Sequence, residues 1–255
     1  MKHELEIIVV IALLALLVLS SYSVLLLRRS AKKLNRNADR VTKEIKGQTS
    51  QIKTELGYVY QQFEALEQLL PLLKLSAPLP SSRGWAASPD FLLSLFETSR
   101  TIKPRLVVEL GSGVSTLVLA KSGAKKIVSL DHSLEYGEQT RAMLRNHRVR
   151  GVDIRIDDLE KYKGGYSWYA RASLKGIAKI DLLVIDGPPS ATNPDARYPA
   201  LENLLPLLSA KATIMLDDAN RADERKLADA FLAALPSHRL RFLHHEKGTA
   251  IIEPR

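Results

Sequence analysis

The sequence contains no cysteine in its 255 residues. Disulfide-stapled folds, thiolate zinc sites, iron–sulfur clusters and cysteine nucleophiles are therefore excluded. Compositional bias is also absent, since 45% of the residues are hydrophobic and 25% are charged, close to the average of folded proteins. This balance excludes wholesale disorder and collagen-like or low-complexity architectures. Beyond an apolar N-terminal segment and a helical stretch, the chain is long enough for one α/β domain.

Positive charge is concentrated in one short part of the chain. The net charge is +9, and residues 28–53 hold most of this excess, with only Asp39 and Glu44 as acids. The cations of this stretch are Arg28, Arg29, Lys32, Lys33, Arg36, Arg40, Lys43, Lys46 and Lys53. Because the rest of the chain is nearly neutral, its charge gives no reason to expect nucleic acid as a partner.

Residues 7–27 contain no charged side chain, and as a helix they reach ~31 Å, enough to cross a hydrocarbon core. A buried helix or a cleaved signal peptide is the alternative. A buried helix usually keeps a polar face, which this run lacks. A signal peptide has its cations before the apolar run, whereas in this sequence the cations follow it. We therefore expect residues 1–28 to form a single-pass anchor in the cell inner membrane. The cation bias places the main domain in the cytoplasm and the basic stretch against anionic lipids.

Residues 29–75 are expected to form a basic juxtamembrane and coiled-coil helix. Apolar residues recur in steps of four and three, which is the heptad pattern of self-associating helices and predicts a homo-oligomer. This seam consists of Leu34, Ala38, Val41, Ile45, Gln48, Ile52, Leu56, Val59, Phe63, Leu66, Leu70 and Leu73. The alternative is an amphipathic helix folded back on the main domain. Residues 76–84 contain two prolines and a glycine and are predicted to be a linker.

Residues 85–255 alternate short apolar strands with helices. Strands are predicted at 106–110, 126–130, 152–156, 180–185, 213–216, 239–243 and 249–252, and helices at 90–100, 116–122, 136–146, 198–208 and 222–235. Apolar strands separated by helices indicate a parallel sheet covered on both faces, and the last two strands lack an intervening helix. The predicted class is α/β: a Rossmann-like, doubly wound, mostly parallel seven-stranded sheet with a C-terminal antiparallel hairpin, preceded by the transmembrane helix and stalk.

The first strand is followed by a glycine-containing turn, Glu109-Leu-Gly111-Ser112-Gly113. A dinucleotide-binding loop needs G-x-G-x-x-G, but Thr116 occupies the third glycine position, which disfavours a nicotinamide enzyme. A phosphate-binding Walker loop is excluded because no G-K-[ST] follows. The second strand leads into Asp131, at the position where an acid can hold the hydroxyls of a ribose.

Several blocks together resemble the class I S-adenosylmethionine-dependent methyltransferases, in particular a bacterial family with ELGSGxST, IDG and LDDA blocks. The resemblance covers residues 82–254 and rests on RGW at 83–85, VVELGSGVST, SLDHS, LLVIDGPP, RYPAL and IMLDDANR. It implies that S-adenosylmethionine is the cofactor, with the glycine loop around its methionine part and Asp131 on its ribose. The cofactor residues implied by position are Glu109, Gly111, Ser112, Gly113, Asp131, His132, Asp157, Asp158 and Asp186. For Asp157 and Asp158, expected near the adenine, a solvated turn is an equally good interpretation.

Three acids, Asp186, Asp217 and Asp218, follow the fourth and fifth strands of the parallel series. The region is similar to the catechol-type O-methyltransferases, and this likeness implies that Asp186, Asp217 and Asp218 hold a magnesium ion, with Asp218 in place of the family's Asn. Asp186 and Asp217 are the expected catalytic residues. The alternative is that Asp186 lines the cofactor pocket or acts as a base without metal, while Asp217 and Asp218 cap the helix beginning near Ala222 or bind water.

Two further features are open to more than one interpretation. Arg197 is either a substrate contact or an ordinary surface or capping group. The aromatic run from Gly164 to Tyr169 is either a mobile lid over the acceptor or a packed surface turn.

The resemblance and the anchor together predict a membrane-anchored methyltransferase. It would move a methyl group from S-adenosylmethionine to an oxygen, or less favourably a nitrogen, of a small-molecule or lipid-linked acceptor. The alternative is a non-catalytic, membrane-tethered coiled-coil scaffold with a methyltransferase-like domain.

Overall fold

The computed structural model describes residues 2–81, 84 and 86–255, with the side chain of Lys2 left out. Arg83 and Trp85, which carry the RGW block and the predicted start of the main domain, lie outside the described residues. The chain divides into two compact units, Met1–Gly57 and Tyr58–Arg255.

The first unit consists of the larger part of helix α1 (Lys2–Leu73). All its described side chains are exposed, including those of the apolar run and the seam residues Ile45 and Ile52. By length and composition, α1 is the one helix among the described residues that could cross a membrane. The sequence up to residue 57 is free of proline and rich in good helix formers, which agrees with an uninterrupted helix.

The second unit begins with the last turns of α1. Ala65, Leu69 and Leu73 recur every four residues, so they share one helix face, and all three are buried. Leu69 and Leu73 belong to the same core cluster as Phe91. The sequence placed residues up to 75 in the stalk, but the compact unit starts at Tyr58, because this face packs into the domain core. Over these turns the folded-back interpretation describes the structure.

The remaining helices are α2 (Pro89–Ile102), α3 (Val114–Lys121), α4 (Leu134–Asn146), α5 (Pro199–Leu204) and α6 (Ala222–Ala234). The strands are β1 (Val107–Leu110), β2 (Ile127–Asp131), β3 (Val152–Ile156), β4 (Glu160–Lys161), β5 (Ser167–Trp168), β6 (Ile180–Ile185), β7 (Leu208–Asp217), β8 (His238–Leu243) and β9 (Thr249–Pro254). The main sheet has the order β3-β2-β1-β6-β7-β9-β8. Strands β3, β2, β1, β6 and β7 are parallel, and β9 pairs antiparallel with both β7 and β8. The predicted seven-stranded sheet with its C-terminal antiparallel hairpin is confirmed.

Both faces of the sheet are covered, because alternate residues of each strand enter different core clusters. In β1, Val108 and Leu110 pack in the cluster that contains Phe231 of α6, whereas Val107 packs in the cluster that contains Phe91 of α2. All four residues of β1 and all five of β2 are buried. This is the burial expected of inner strands in a doubly wound sheet.

Two element boundaries differ from the sequence predictions by more than two residues. The helix expected at 198–208 ends as α5 at Leu204, followed by a 3-10 turn, Leu205–Leu207. Pro206 lies in this turn and has no N–H to continue the helix. Strand β7 starts at Leu208 rather than 213, and its first pair with β6 precedes a register shift. The short hairpin β4–β5 was not predicted.

The carboxylate of Asp90 connects distant parts of the second unit. Its Oδ2 accepts hydrogen bonds from the side-chain amides of Gln61 (3.2 Å) and Gln62 (2.7 Å) and from the backbone N–H of Glu246 (2.8 Å). Its Oδ1 accepts from the hydroxyl of Ser88 (2.6 Å). Burial acts to raise the pKa of Asp90, but these hydrogen bonds outweigh it and lower the pKa. This ionised group therefore joins the end of α1, the start of α2 and the β8–β9 connection.

Candidate active site

The carboxyl ends of the parallel strands meet at one edge of the sheet. The backbone N–H of Gly111 donates to Leu130 (2.9 Å), and that of Asp186 donates to Leu110 (3.0 Å). These bonds hold the residues that follow β1, β2 and β6 side by side. In open α/β sheets, this edge is where ligands bind.

The two glycines after β1 have different structural requirements. Gly111 has φ +92°, and a Cβ atom there would lie 3.0 Å from the backbone oxygen of Asp186. Only glycine adopts this conformation and this close approach without strain. Gly113 precedes α3 in an extended conformation, and a Cβ atom there would meet nothing within 4 Å. The first glycine thus shapes the turn, and the second borders open space at the N-terminus of α3.

Glu109 lies beneath this turn and is completely buried. Its Oε2 accepts hydrogen bonds from the hydroxyls of Thr116 (2.5 Å) and Ser129 (2.7 Å), whereas its Oε1 has no hydrogen-bond partner among the described residues. Burial raises the pKa of Glu109 to about 7, although the hydroxyl groups favour its charged form. Because Thr116 also accepts from the N–H of Gly113 (3.0 Å), Glu109 positions the glycine turn from below.

Asp131 is buried at the end of β2 and faces the same turn. Its Oδ2 accepts hydrogen bonds from the backbone N–H of Ser112 (3.0 Å) and from the Ser112 hydroxyl. Its Oδ1 accepts from the N–H of Ser133 (2.9 Å). The ring of His132 lies beside it, with Nδ1 3.9 Å from Oδ1 and 31% of the side chain exposed. The structure thus brings together four of the predicted cofactor residues: Gly111, Ser112, Asp131 and His132.

Asp157 and Asp158 follow β3 at the adjacent strand end. The backbone N–H of Asp157 donates to the backbone oxygen of Asp131 (3.2 Å), and its carboxylate accepts from the hydroxyl of Ser173. Both aspartates are exposed. Asp157 therefore lies next to the ribose-acid candidate, and a contact of either aspartate with adenine remains a prediction.

Arg197 lies among the three acids that follow β6 and β7. Its Nη2 donates to Oδ1 of Asp186 (3.2 Å) and Oδ2 of Asp218 (2.7 Å), and its Nη1 donates to the backbone oxygen of Asp217 (3.0 Å). Only 6% of the Arg197 side chain is exposed. Arg221 supplies a second cation, with Nη1 2.9 Å from Oδ2 of Asp218.

These contacts control the protonation of the acids. Burial raises the pKa of Asp186 to about 6; Arg197 opposes this shift and Asp218 adds to it. Burial and the charge of Asp186 raise the pKa of Asp217 well above its ordinary range. Neither oxygen of Asp217 has a hydrogen bond of normal length among the described residues, although the nearby N–H of Asp218 acts to lower its pKa. Burial acts to lower the pKa of Arg197, but Asp186 and Asp218 raise it, so the guanidinium stays charged.

The arrangement does not fit the magnesium site expected at Asp186, Asp217 and Asp218. In the described ranges 2–81, 84 and 86–255, no group of three or more His, Asp or Glu residues could hold a metal ion. The physical reason is that Arg197 already contacts Asp186 and Asp218. The sequence left Arg197 as either a substrate contact or a surface or capping group, because its distance along the chain from these acids gives no sign of their proximity.

The aromatic segment that follows Gly164 is packed into the domain. Trp168 and Tyr169 are buried, with ring centroids 5.3 Å apart, and the hydroxyl of Tyr162 donates to the backbone oxygen of Tyr169 (2.8 Å). The Tyr169 hydroxyl has no hydrogen-bond partner among the described residues and lies where a side chain on Gly187 would begin. Burial, together with the nearby charge of Asp131, raises its pKa well above the usual value. Of the two interpretations that the sequence left open for this run, a lid and a packed turn, the burial of Trp168 and Tyr169 agrees with packing.

A pocket of about 550 Å³ is lined mainly by residues 194–206, and neither Arg197, the glycine turn, Asp131 nor the three acids are among its lining residues. Most of its lining is apolar or aromatic, and the residues around it include Tyr166, Tyr198, Leu201, Glu202 and Leu205. The hydroxyl of Tyr166 donates to Glu202 (3.2 Å) at its wall. Its size and lining are those of small-molecule sites.

Comparison with known proteins identifies the type of domain. Residues 108–219 match a family model described as a methyltransferase domain. This segment includes the glycine turn, Asp131, Asp186, Arg197 and both β7 acids. No curated protein matches the sequence.

Three similar solved structures share the fold. An SAH-bound methyltransferase from Podospora anserina is 18% identical, with a TM-score of 0.52, and covers 75% of this chain and 88% of its own. An O-methyltransferase from Bacillus cereus in complex with SAH is 20% identical, with a TM-score of 0.51 and coverage of 75% and 91%. The O-methyltransferase TomG from Streptomyces achromogenes, involved in tomaymycin synthesis and in complex with SAM, is 16% identical, with a TM-score of 0.51 and coverage of 77% and 95%. The resemblance stated from the sequence blocks is confirmed.

Proposed function

Because the chain carries a class I S-adenosylmethionine-dependent methyltransferase domain, we propose that it methylates an oxygen atom of a small-molecule or lipid-linked acceptor. A nitrogen acceptor is the less favoured form of the same proposal. The observation that carries it is the pairing of Ser112 with Asp131 beside the open space at Gly113. This pairing lies at the strand ends where α/β sheets bind nucleotide-like ligands.

The residues of this edge suit S-adenosylmethionine. Gly111 and Gly113 allow close backbone approach, and Asp131 presents a carboxylate suited to two ribose hydroxyls. The Tyr169 hydroxyl is a buried polar atom without a partner among the described residues, as expected where a polar ligand completes the site. Ser112, His132, Asp157, Asp158 and Asp186 complete the proposed contact set.

For the chemical step, we assign the acceptor's proton to Asp186. Bound S-adenosylmethionine would supply an activated methyl group, which leaves its sulfur as the acceptor oxygen attacks. The proton lost by that oxygen passes to the Asp186 carboxylate, which Arg197 contacts at 3.2 Å. Asp217, buried and with a raised pKa, is proposed as the protonated neighbour of this base.

The pocket lined by Tyr166 and Tyr198 is the proposed acceptor site. Its apolar walls suit an aromatic or acyl body, and Tyr198 in its lining directly follows Arg197, whose side chain contacts the proposed base. Methyl transfer depends mainly on such positioning, because the sulfonium is already activated.

The N-terminal unit is proposed to hold the enzyme at the cytoplasmic face of the inner membrane. Support comes from the exposed, uncharged run at 7–27 and the basic stretch at 28–53, which suits anionic lipid headgroups. The seam at Leu34, Val41, Ile45 and Ile52 is proposed to assemble copies of the chain as a coiled coil.

Calorimetric titration of the full chain in detergent with S-adenosylmethionine and S-adenosylhomocysteine tests the function. We expect saturable heat with both compounds and its loss in Gly113→Arg, whose side chain enters the open space at the loop. Gly57→Arg is the control, because Gly57 lies on α1 and also has open space around it. Absence of heat from the folded wild-type chain would support a non-catalytic scaffold instead.

A further inference from the structure

The acids after β6 and β7 are arranged around a cation that belongs to the chain itself. We propose that the guanidinium of Arg197 takes the position of a divalent metal at these strand ends, so that the site works without one. The assignment of this site to methyl transfer rests on the proposed function. The position of Arg197 rests on geometry alone.

The guanidinium is bonded from several directions at once. Nη2 joins Asp186 and Asp218, and Nη1 reaches the backbone oxygen of Asp217. On the third side, Nε lies 3.8 Å from Oε1 of Glu224. The planar guanidinium has several N–H donors and can therefore bond several oxygen atoms at the same time. A divalent ion would need the same Asp186 and Asp218 oxygens, so the two cations compete for one place.

Burial makes displacement of Arg197 unfavourable. The side chain lies beneath the surface next to the start of α5, and its backbone oxygen accepts from the N–H of Ala200 (3.0 Å). The negative charge of Asp218 is also paired with Arg221, whose side chain is more exposed than that of Arg197. A divalent ion would therefore have to displace the buried Arg197 while being repelled by the charge of Arg221.

Within the proposed reaction, Arg197 is a positioning residue. It holds Oδ1 of Asp186 in one direction, at the position where the sequence resemblance implied a magnesium ion. Arg197→Lys keeps the positive charge but loses the planar arrangement of donors. Arg197→Met removes both the charge and the donors while keeping a side chain of similar length.

Mn²⁺ is the probe for the test, because its binding is measured directly by electron paramagnetic resonance on the full chain in detergent. We expect the wild type to show no specific site below about 1 mM Mn²⁺, since the carboxylates are already paired. We expect Arg197→Met to bind Mn²⁺ about tenfold or more tightly than wild type, and Arg197→Lys to resemble wild type. Arg239→Met, a change in an exposed ion pair of β8, is the control and should leave Mn²⁺ binding unchanged.

Tight one-to-one Mn²⁺ binding by the wild type that disappears in Asp186→Asn would overturn the inference. So would a folded Arg197→Met variant that binds Mn²⁺ no better than wild type. If Arg197→Met does not fold, the wild-type titration and its Asp186→Asn comparison decide. S-adenosylmethionine binding is measured separately with EDTA and with Mg²⁺. Loss of binding under both conditions counts against the proposed function, whereas binding that requires Mg²⁺ counts against the inference.

Discussion

Both hydrogen-bond donors of Ser112, its backbone N–H and its hydroxyl, are directed at one oxygen of Asp131. The other oxygen of Asp131 is held by the N–H of Ser133. The carboxylate is therefore fixed in direction by the turn that follows β1. A group oriented in advance loses less conformational freedom when a ligand binds, and this favours affinity.

Asp131→Asn should weaken S-adenosylmethionine binding by about ten- to a hundredfold. The amide cannot accept hydrogen bonds on both sides of the group, and a charged hydrogen bond contributes roughly 1.5–3 kcal/mol. Calorimetry measures the change. Asp153→Asn is the matched control, because Asp153 is a half-exposed residue of β3 paired with Arg155. Equal affinity in both variants would remove Asp131 from the site.

Gly111→Ala should destabilise the fold by about 1–3 kcal/mol, whereas Gly113→Ala should change stability by less than about 1 kcal/mol. Gly111 combines a left-handed backbone with a contact at 3.0 Å to the Asp186 carbonyl, and Gly113 has neither feature. Thermal unfolding of the two variants makes the comparison. A similar shift in melting temperature for both would contradict the structural distinction between the two glycines.

Tyr169→Phe should leave the unliganded chain as stable as wild type or slightly more stable. The hydroxyl it removes has no hydrogen-bond partner among the described residues, and a buried unpaired polar group is unfavourable. The same change should weaken S-adenosylmethionine binding if this hydroxyl contacts the ligand. Tyr162→Phe is the opposite case, because it removes the hydrogen bond of 2.8 Å to the backbone oxygen of Tyr169. This variant should lower the free energy of unfolding by about 1 kcal/mol. A strongly destabilised Tyr169→Phe would show that its hydroxyl has a structural partner.

Glu109 should make the stability of the chain depend on pH between about 4.5 and 7. Its pKa is raised to about 7 in the folded state, so the folded chain binds the proton more tightly than the unfolded chain does. The resulting stability is complete below pH 4.5 and is lost as the pH rises towards 7. Glu109→Gln removes this titration. Relative to wild type, the free energy of unfolding of the variant should therefore increase by about 2–3 kcal/mol between pH 5 and pH 8.

Urea unfolding of wild type and Glu109→Gln at the two pH values gives this difference. Glu253→Gln, in which the altered carboxylate lies on β9 and has a lowered pKa, should not show the same gain. A pH-independent difference between Glu109→Gln and wild type would show that Glu109 does not titrate in this range.

Leu69→Ala should destabilise the chain by about 2–5 kcal/mol, the usual cost of such a cavity. Leu69 is 0% exposed, whereas Phe63, on the same helix, is 62% exposed. Phe63→Ala should therefore change the stability of the second unit by less than about 1 kcal/mol. Similar losses in the two variants would contradict the burial of one face of α1, which contains Leu69 and not Phe63.

The sequence predicted the sheet and the glycine turn because both depend on local patterns. Inner strands read as continuous apolar runs, and Gly111 is required by its own backbone conformation. Asp131 was found because a strand end fixes its place in the fold. These features need only the identity of neighbouring residues and the rule that parallel strands share one edge.

The surroundings of the acids could not be predicted in the same way. Arg197 reaches Asp186 and Asp218 only after the connection between β6 and α5 has folded, and no periodicity records that path. The same holds for Tyr169, which the unpredicted hairpin β4–β5 directs inward. The heptad pattern of α1 showed an apolar helix face but not what covers it, and Leu73 is covered by the domain itself.

The position of Asp90 has a consequence for synthesis on the ribosome. Two of its donors, Gln61 and Gln62, precede it, but Glu246, whose N–H also donates to it, is synthesised 156 residues after it. Until Glu246 has been added, the carboxylate of Asp90 lacks one of its hydrogen-bond donors. Asp90 can therefore be bonded by Gln61, Gln62 and Glu246 together only after the β8–β9 connection has been synthesised.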